Sequence, residues 1–73
     1  MLSEEKYLQQ LGRKIEKLSS EKFSTQTKFS DVSDVDTRTI RRIIKAEQNP
    51  SILILRKISF ALDIELSELV EVD

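Results

Sequence analysis

The 73-residue sequence contains no cysteine and no histidine, and it has only one glycine and one proline. Without cysteine the chain forms no disulfide and offers no thiolate to a metal ion. Without histidine it lacks the commonest general base and the commonest metal ligand. Carboxylates are plentiful, but the sequence has no nucleophile–base set and no phosphate-binding glycine loop. We therefore expect a protein that is not an enzyme and that holds no cofactor or metal.

Long apolar runs are also missing. The longest, residues 52–55, is far shorter than the roughly 20 residues that cross a bilayer. The opening residues MLSEEKY carry acids and lack the apolar stretch of a signal peptide. We therefore expect a soluble cytoplasmic protein without a membrane partner, forming one domain over residues 1–73.

Charge is distributed unevenly, although the formal net charge is only -1. Residues 37–50 hold four cations against one acid, whereas residues 23–36 hold one cation against three acids. Residues 51–73 hold two cations against five acids, so a basic block lies between two acidic ones. A run of arginines on a helix is ordinarily a solvated face. The alternative is a surface that meets phosphate.

The spacing of apolar residues predicts a compact all-α fold of five short helices. In the first helix they recur at intervals of three and four and so share one face: Leu8, Leu11, Ile15 and Leu18. Gly12 lies beside that face and would let another helix approach closely.

Two helices are predicted on either side of a tight turn. Ser24 or Thr25 is expected to cap the second helix, which carries Phe29 and Val32. The segment SDVD is interpreted as the turn. Asp36 is expected to cap the third helix, whose apolar face consists of Ile40, Ile43 and Ile44.

The last two helices follow AEQNP. Asn49 is expected to cap the fourth helix, with Pro50 at its first position, where the missing N–H costs nothing. The core stripe of this helix is predicted to be Ile52, Leu55, Ile58 and Leu62. A fifth helix is predicted through Leu66 and Leu69.

The order of helix, short turn and helix is the helix-turn-helix arrangement, whose second helix enters the major groove of DNA. The segment TQTKFSDVSDVDTRTIRRIIKAEQNPS resembles the XRE-type helix-turn-helix of the lambda repressor and Cro family. The resemblance continues in ILRKISFALDIELSEL. It implies a lambda-repressor-like five-helix domain with its helix-turn-helix at about residues 25–46. It also implies double-stranded DNA as partner and transcriptional regulation, as a repressor, as function.

Several positions depart from the family pattern. Ser30 and Asp34 stand where the family usually has Ala and a turn Gly, and Ala46 stands where Gly usually ends the third helix. Asp visits left-handed backbone conformations more readily than most residues, so the turn can survive. Ser19 and Ile44 occupy the positions of an Arg–Glu pair, so no charged partner is orphaned. The segment EKFSTQ also holds one extra residue.

Candidate base-reading residues lie on the predicted third helix, at about residues 37–45. Helical spacing places four of them opposite the apolar face: Thr37, Arg38, Arg41 and Arg42. An Arg fork can bond guanine O6 and N7 together. The resemblance implies base reading by Thr37, Arg38 and Arg42, whereas Arg41 points sideways, toward phosphate or solvent.

Contacts to the DNA backbone are implied by the resemblance alone. Gln26 matches a residue that opens the second helix, bonds a phosphate and braces the third helix. Lys45, Gln48 and Asn49 match positions that grip the sugar–phosphate backbone. The acidic residues Asp31, Asp34 and Asp36 lie close to this face and would weaken phosphate attraction. We therefore expect modest, strongly salt-dependent affinity, or a face that serves another purpose.

Apolar residues in excess of the predicted core suggest a partner. Leu53, Ile54 and Phe60 are left over from the stripe of the fourth helix, and Leu53 and Phe60 share one side of it. They could simply rim the core, because single exposed apolar residues are normal. The functional interpretation is a homodimer patch, with Val70 and Val72 of the C-terminal tail as further candidates.

The main alternative to DNA binding is an interaction module. A helix-turn-helix shape could bind another protein, such as a toxin, after losing its DNA contacts. An antitoxin that pairs with a toxin and also binds DNA would combine the two functions.

Overall fold

The computed structural model describes residues 3–72, and this part of the chain forms five α-helices and no strand. The helices are α1 (Glu4–Lys22), α2 (Gln26–Ser33), α3 (Thr37–Ile44), α4 (Ile52–Leu62) and α5 (Leu66–Val70). α1 packs on α3 and α5, while α2 and α5 pack on α4. The prediction of a compact all-α fold is confirmed.

A single core joins all five helices. Its buried apolar residues are Leu11, Ile15, Phe29, Val35, Ile40, Ile43, Leu55, Ile58, Ala61, Leu62 and Leu69. Tyr7, Leu18, Ile44 and Ile54 pack half-buried against it. The predicted faces of the first, third and fifth helices therefore point inward as expected, although Leu8 is only half-buried.

One predicted core residue is instead exposed. Ile52 keeps 59% of its surface exposed, because the stripe of α4 is centred on Ile58. Six residues separate the two, which places them about 120° apart around the helix. Ile54 takes an inward position in its place. Val32 of α2 is 52% exposed, since Val35 of the turn fills the core at that end.

Side-chain oxygens fix the starts of four helices. Thr25, one of two candidates, caps α2 by accepting from the Lys28 N–H at 3.1 Å, and Asp36 caps α3 as predicted. The predicted start of α4 was wrong. Ser51 caps that helix by accepting from the Ile54 N–H at 3.2 Å, so Pro50 precedes the cap and Asn49 lies outside the helix. A serine hydroxyl placed directly before the first helical residue is a strong N-cap.

The C-terminal segment is fastened to α1. The Tyr7 hydroxyl donates to the Val70 carbonyl, and Lys14 Nζ donates to the carbonyls of Glu68 and, at 2.8 Å, of Glu71. Val70 also packs against the core, and Val72 lies beside α1. Both valines keep part of their surface accessible, so their place in a dimer patch stays a prediction.

Buried and exposed isoleucines allow a direct test of the helix phases. Ile43→Ala should lower the free energy of unfolding by about 2–5 kcal/mol, because it opens a cavity in the core. Ile52→Ala, the matched control on an exposed position, should change it by less than about 0.5 kcal/mol. Urea unfolding followed by circular dichroism measures both, and equal losses would contradict the packing described here.

Candidate nucleic-acid interface

The two sides of α3 have opposite chemical character. Ile40 and Ile43 are buried in the core, whereas Arg38, Arg41 and Arg42 are exposed. Within residues 3–72, no carboxylate lies within 4.0 Å of these guanidinium groups, because the one salt bridge found there joins Lys57 to Asp34. The arginine donors therefore remain available to an anion or a base edge.

The orientation of α3 depends on Gly12 of α1. A Cβ atom built on Gly12 would lie 2.5 Å from the carbonyl oxygen of Ile44 and 2.7 Å from that of Ile43. Real Cβ atoms essentially never approach a backbone atom so closely, and neither carbonyl can rotate away without disturbing α3. The expected close approach at Gly12 is thus confirmed, and the facing helix is α3.

The turn between α2 and α3 is held by hydrogen bonds and by Asp34. Asp34 adopts the left-handed conformation, with φ 60° and ψ 33°, as expected for the residue that replaces glycine. The Ser30 hydroxyl donates to the Val35 carbonyl at 2.6 Å. Lys57 Nζ of α4 lies 3.4 Å from Asp34 Oδ2. No spacing rule predicts this ion pair, because its partners are 23 residues apart.

The positions that usually carry a buried ion pair are filled without one. Ser19 is buried, and its hydroxyl donates to the Glu16 carbonyl at 3.1 Å. Ile44 packs half-buried against the core. In the described part of the chain, no buried side-chain nitrogen or oxygen lacks a hydrogen-bond partner. The departure from the family pattern therefore leaves no unsatisfied polar group.

α3 ends in a second left-handed residue. Ala46 has φ 59°, and the N–H groups of Ala46 and Glu47 donate to the carbonyls of Ile43 and Arg42 at 3.0 and 2.8 Å. This pair of bonds is the Schellman arrangement, which usually places glycine at the left-handed position. Ala46 therefore occupies the left-handed position where glycine is expected, at some conformational cost.

The predicted backbone-contact residues lie at the ends of the two helices. Gln26 is the exposed first residue of α2, where free backbone N–H groups and the helix dipole favour anions. Lys45, at the C-terminal end of α3, and Asn49 are exposed, and Gln48 is half-buried. Thr37, the first residue of α3, is also half-buried. All eight predicted DNA-contact residues therefore keep at least part of their surface accessible.

Acidic residues gather at the start of α3. Asp31, Asp34 and Asp36 line one open depression together with Ser30 and Val35. The Asp36 carboxylate accepts from the Thr39 N–H at 2.7 Å. This bond, with further contributions from the Thr39 side chain, Arg38 and Arg42, holds the pKa of Asp36 below its ordinary value. The carboxylate is therefore the state that caps α3 at neutral pH.

None of the helices within residues 3–72 is both long enough and apolar enough to span a bilayer.

The cap predicts a pH dependence of stability. Because the pKa of Asp36 is lower in the folded state, its contribution is present above the ordinary aspartate pKa and is lost as the pH falls through the folded value. Asp36→Asn retains a capping acceptor that does not titrate, so its melting temperature should fall less in acid than that of the parent. Asp36→Ala should melt below both at pH 7. Parallel melting profiles of the parent and Asp36→Asn between neutral and acidic pH would contradict this role.

Comparison with known proteins agrees with the geometry. The helix-turn-helix family model (HTH_3) matches residues 24–69, which include α2, α3 and α4. The crystal structure of the restriction-modification controller protein C.AhdI from Aeromonas hydrophila superposes with a TM-score of 0.79 at 27% sequence identity, covering 85% of this chain and 94% of that one. Among curated proteins no match was found. The family consists of DNA-binding transcription regulators, whose activity is not enzymatic. The chain therefore belongs to the XRE-type helix-turn-helix family of DNA-binding transcriptional regulators.

Proposed function

We propose that the protein binds a specific sequence of double-stranded DNA by inserting α3 into the major groove. The observation that carries this proposal is the division of α3 into a face locked in the core and a face with three exposed arginines. An α-helix fits the major groove, and an arginine fork discriminates guanine there. The helix-turn-helix match over residues 24–69 supports the same use of α3.

Base reading is assigned to Thr37, Arg38 and Arg42. Thr37 and Arg38 open α3, the end that approaches base edges in helix-turn-helix proteins. Arg42 follows Arg38 by one helical turn and lies on the same side. Arg41 lies beside this row and is assigned a phosphate contact.

Contacts to the sugar–phosphate backbone set the register of α3. Gln26 is assigned to one strand, because its amide can donate to phosphate at the positive end of α2. Lys45, Gln48 and Asn49 are assigned to the other side of the groove, after the end of α3. These contacts contribute affinity and position without reading sequence.

Repression is the regulatory outcome that we propose. A domain seated in the major groove blocks access of other proteins to the same DNA. The similar solved structure is that of a restriction-modification controller protein, which supports a role in controlling transcription. We propose the cytoplasm as the location of this role.

Homodimerisation is proposed through an apolar patch on α4, defined by Ile52, Leu53 and Phe60. These side chains are 59%, 64% and 82% exposed. Leu53 and Phe60 are seven residues apart and share one side of α4. A second copy suits this patch because helix-turn-helix dimers read two half-sites about 34–36 Å apart with two-fold symmetry.

The dimer is expected to be weak without DNA. Burying each apolar side chain contributes roughly 1.5–3 kcal/mol, much of which is offset by the loss of freedom on association. Arg56 and Lys57 lie between Leu53 and Phe60 along α4 and would approach their copies near a two-fold axis. DNA, by binding both copies, supplies the missing stability.

A different protein partner, such as a toxin, is the second candidate occupant of the α4 patch. The observation that favours it is the same exposure of Phe60, the most exposed large apolar residue of the described chain. An antitoxin would use α3 for DNA and α4 for its toxin.

Substitutions on α3 separate base reading from phosphate binding. On a duplex selected from random sequences, Arg42→Ala should cost about 1–3 kcal/mol and relax the preference at one base pair. Lys45→Ala should weaken binding to all sequences alike and reduce the salt slope by about 1. Fluorescence anisotropy over a salt series measures both effects. Parent-like binding by both variants would remove α3 as the reading helix.

Substitutions on α4 test the dimer. Leu53→Ser with Phe60→Ser should convert a two-to-one complex on a selected site into a one-to-one complex, as measured by analytical ultracentrifugation. Val32→Ser, which alters an exposed apolar residue on α2, is the matched control and should leave the stoichiometry unchanged. A one-to-one complex of the parent on every high-affinity duplex would reject the dimer and favour a different protein as the occupant.

A further inference from the structure

The carboxylate of Asp36 is fixed at the start of α3 while remaining open to solvent. Its Oδ1 accepts from the Thr39 N–H at 2.7 Å, which restricts the side chain to the capping rotamer. Asp36 immediately precedes Thr37 and Arg38, to which base reading is assigned. At neutral pH a negative charge therefore stands at the end of the helix that is proposed to enter the groove.

This charge acts on the two proposed reading arginines without pairing with either. The pKa of Asp36 is lowered first by the Thr39 backbone hydrogen bond and also by the positive charges of Arg38 and Arg42. Neither guanidinium forms an ion pair with Asp36 within 4.0 Å in the described chain. Both arginines are attracted toward the helix start but stay free to bind a ligand.

We propose that Asp36 is a specificity-determining residue of the DNA face, whose carboxylate competes with phosphate for Arg38 and Arg42. The proposal rests on the groove contact proposed above. It assigns Asp36 two roles, one in starting α3 and one in suppressing binding to random DNA.

The physical reason lies in the difference between the two kinds of DNA contact. Random binding is almost entirely electrostatic, and an arginine that moves to a phosphate exchanges one anion for another. The free energy gained from the arginine–phosphate contact is therefore reduced by the attraction to Asp36 that the arginine loses. A guanine edge offers two neutral acceptors in a fixed geometry, so an arginine can bond it while still attracted to Asp36. The carboxylate thus opposes random binding more than specific binding.

Asp34 provides the matched comparison. It lies two residues before Asp36 and lines the same depression, but its carboxylate is 3.4 Å from Lys57 Nζ of α4. Asp34→Asn and Asp36→Asn change the net charge equally, and asparagine tolerates both the left-handed position and the cap. Only the second change removes a carboxylate that has no ion-pair partner in the described chain.

The test is a set of anisotropy titrations with the selected duplex and with a scrambled duplex of equal length, over a potassium chloride series. Asp36→Asn should bind the scrambled duplex several-fold more tightly, with a salt slope steeper by up to about 1. The gain on the selected duplex should be smaller, so the ratio of the two affinities falls. Asp36→Ser, which also keeps a capping oxygen, should behave likewise, and Asp34→Asn should change both affinities by one common factor.

Four results would overturn the proposal. An equal gain of Asp36→Asn on both duplexes would reduce Asp36 to a general repulsive charge. A loss confined to the selected duplex, with relaxed preference at one cytosine, would make Asp36 a direct reader of the cytosine amino group. A parent that binds both duplexes equally would remove the groove contact itself, and with it this proposal. If the parent prefers the selected duplex and Asp36→Asn changes neither affinity, this proposal alone is rejected.

Discussion

The close approach of α1 to α3 at Gly12 is the contact on which the rest of the structure depends. The carbonyls of Ile43 and Ile44 lie where a side chain at residue 12 would have to be, so the last turn of α3 rests on the backbone of α1. This contact fixes the rotation of α3, because Ile40 and Ile43 then enter the core together. The opposite side of the helix, with its arginines, must face solvent. A proposed DNA-reading surface thus follows from one glycine on a different helix.

Local sequence patterns predicted much of this architecture. The number of helices, the Asp36 cap and the left-handed Asp34 follow from short-range rules that each residue obeys wherever it stands. The predicted start of α4 was wrong because Asn49, Pro50 and Ser51 are each typical of a helix start, and local rules alone do not choose among them. Ile52 was misplaced because its spacing from Leu55 fits the stripe, whereas it lies about 120° around the helix from Ile58, on which the stripe is centred. The Lys57–Asp34 pair and the attachment of Lys14 to the C-terminal carbonyls depend on distant segments meeting, which no spacing rule predicts.

Charge explains how an acidic chain can belong to a DNA-binding family. The net charge of -1 is a sum over surfaces that point in different directions. The cations of residues 38–45 are concentrated on and just after the exposed side of α3, while Glu65, Glu68 and Glu71 lie in or beside α5, which does not pack on α3. Attraction to DNA within a Debye length, about 8 Å at physiological salt, depends on the nearer groups more than on the sum. The aspartates at the start of α3 reduce that attraction, so recognition has to come from geometry as well as from charge.

The central claim is that the exposed side of α3 meets base edges, and the side-chain Nε–H signals of its arginines report on this most directly. Titrating ¹⁵N-labelled protein with a selected duplex should shift the Arg38 and Arg42 signals strongly and leave that of Arg56, on α4, close to its free position. A scrambled duplex of equal length should produce only small, salt-sensitive shifts of Arg38 and Arg42. If the selected duplex instead shifts Arg56 most and leaves Arg38 and Arg42 unchanged, the account of α3 as the reading helix is contradicted.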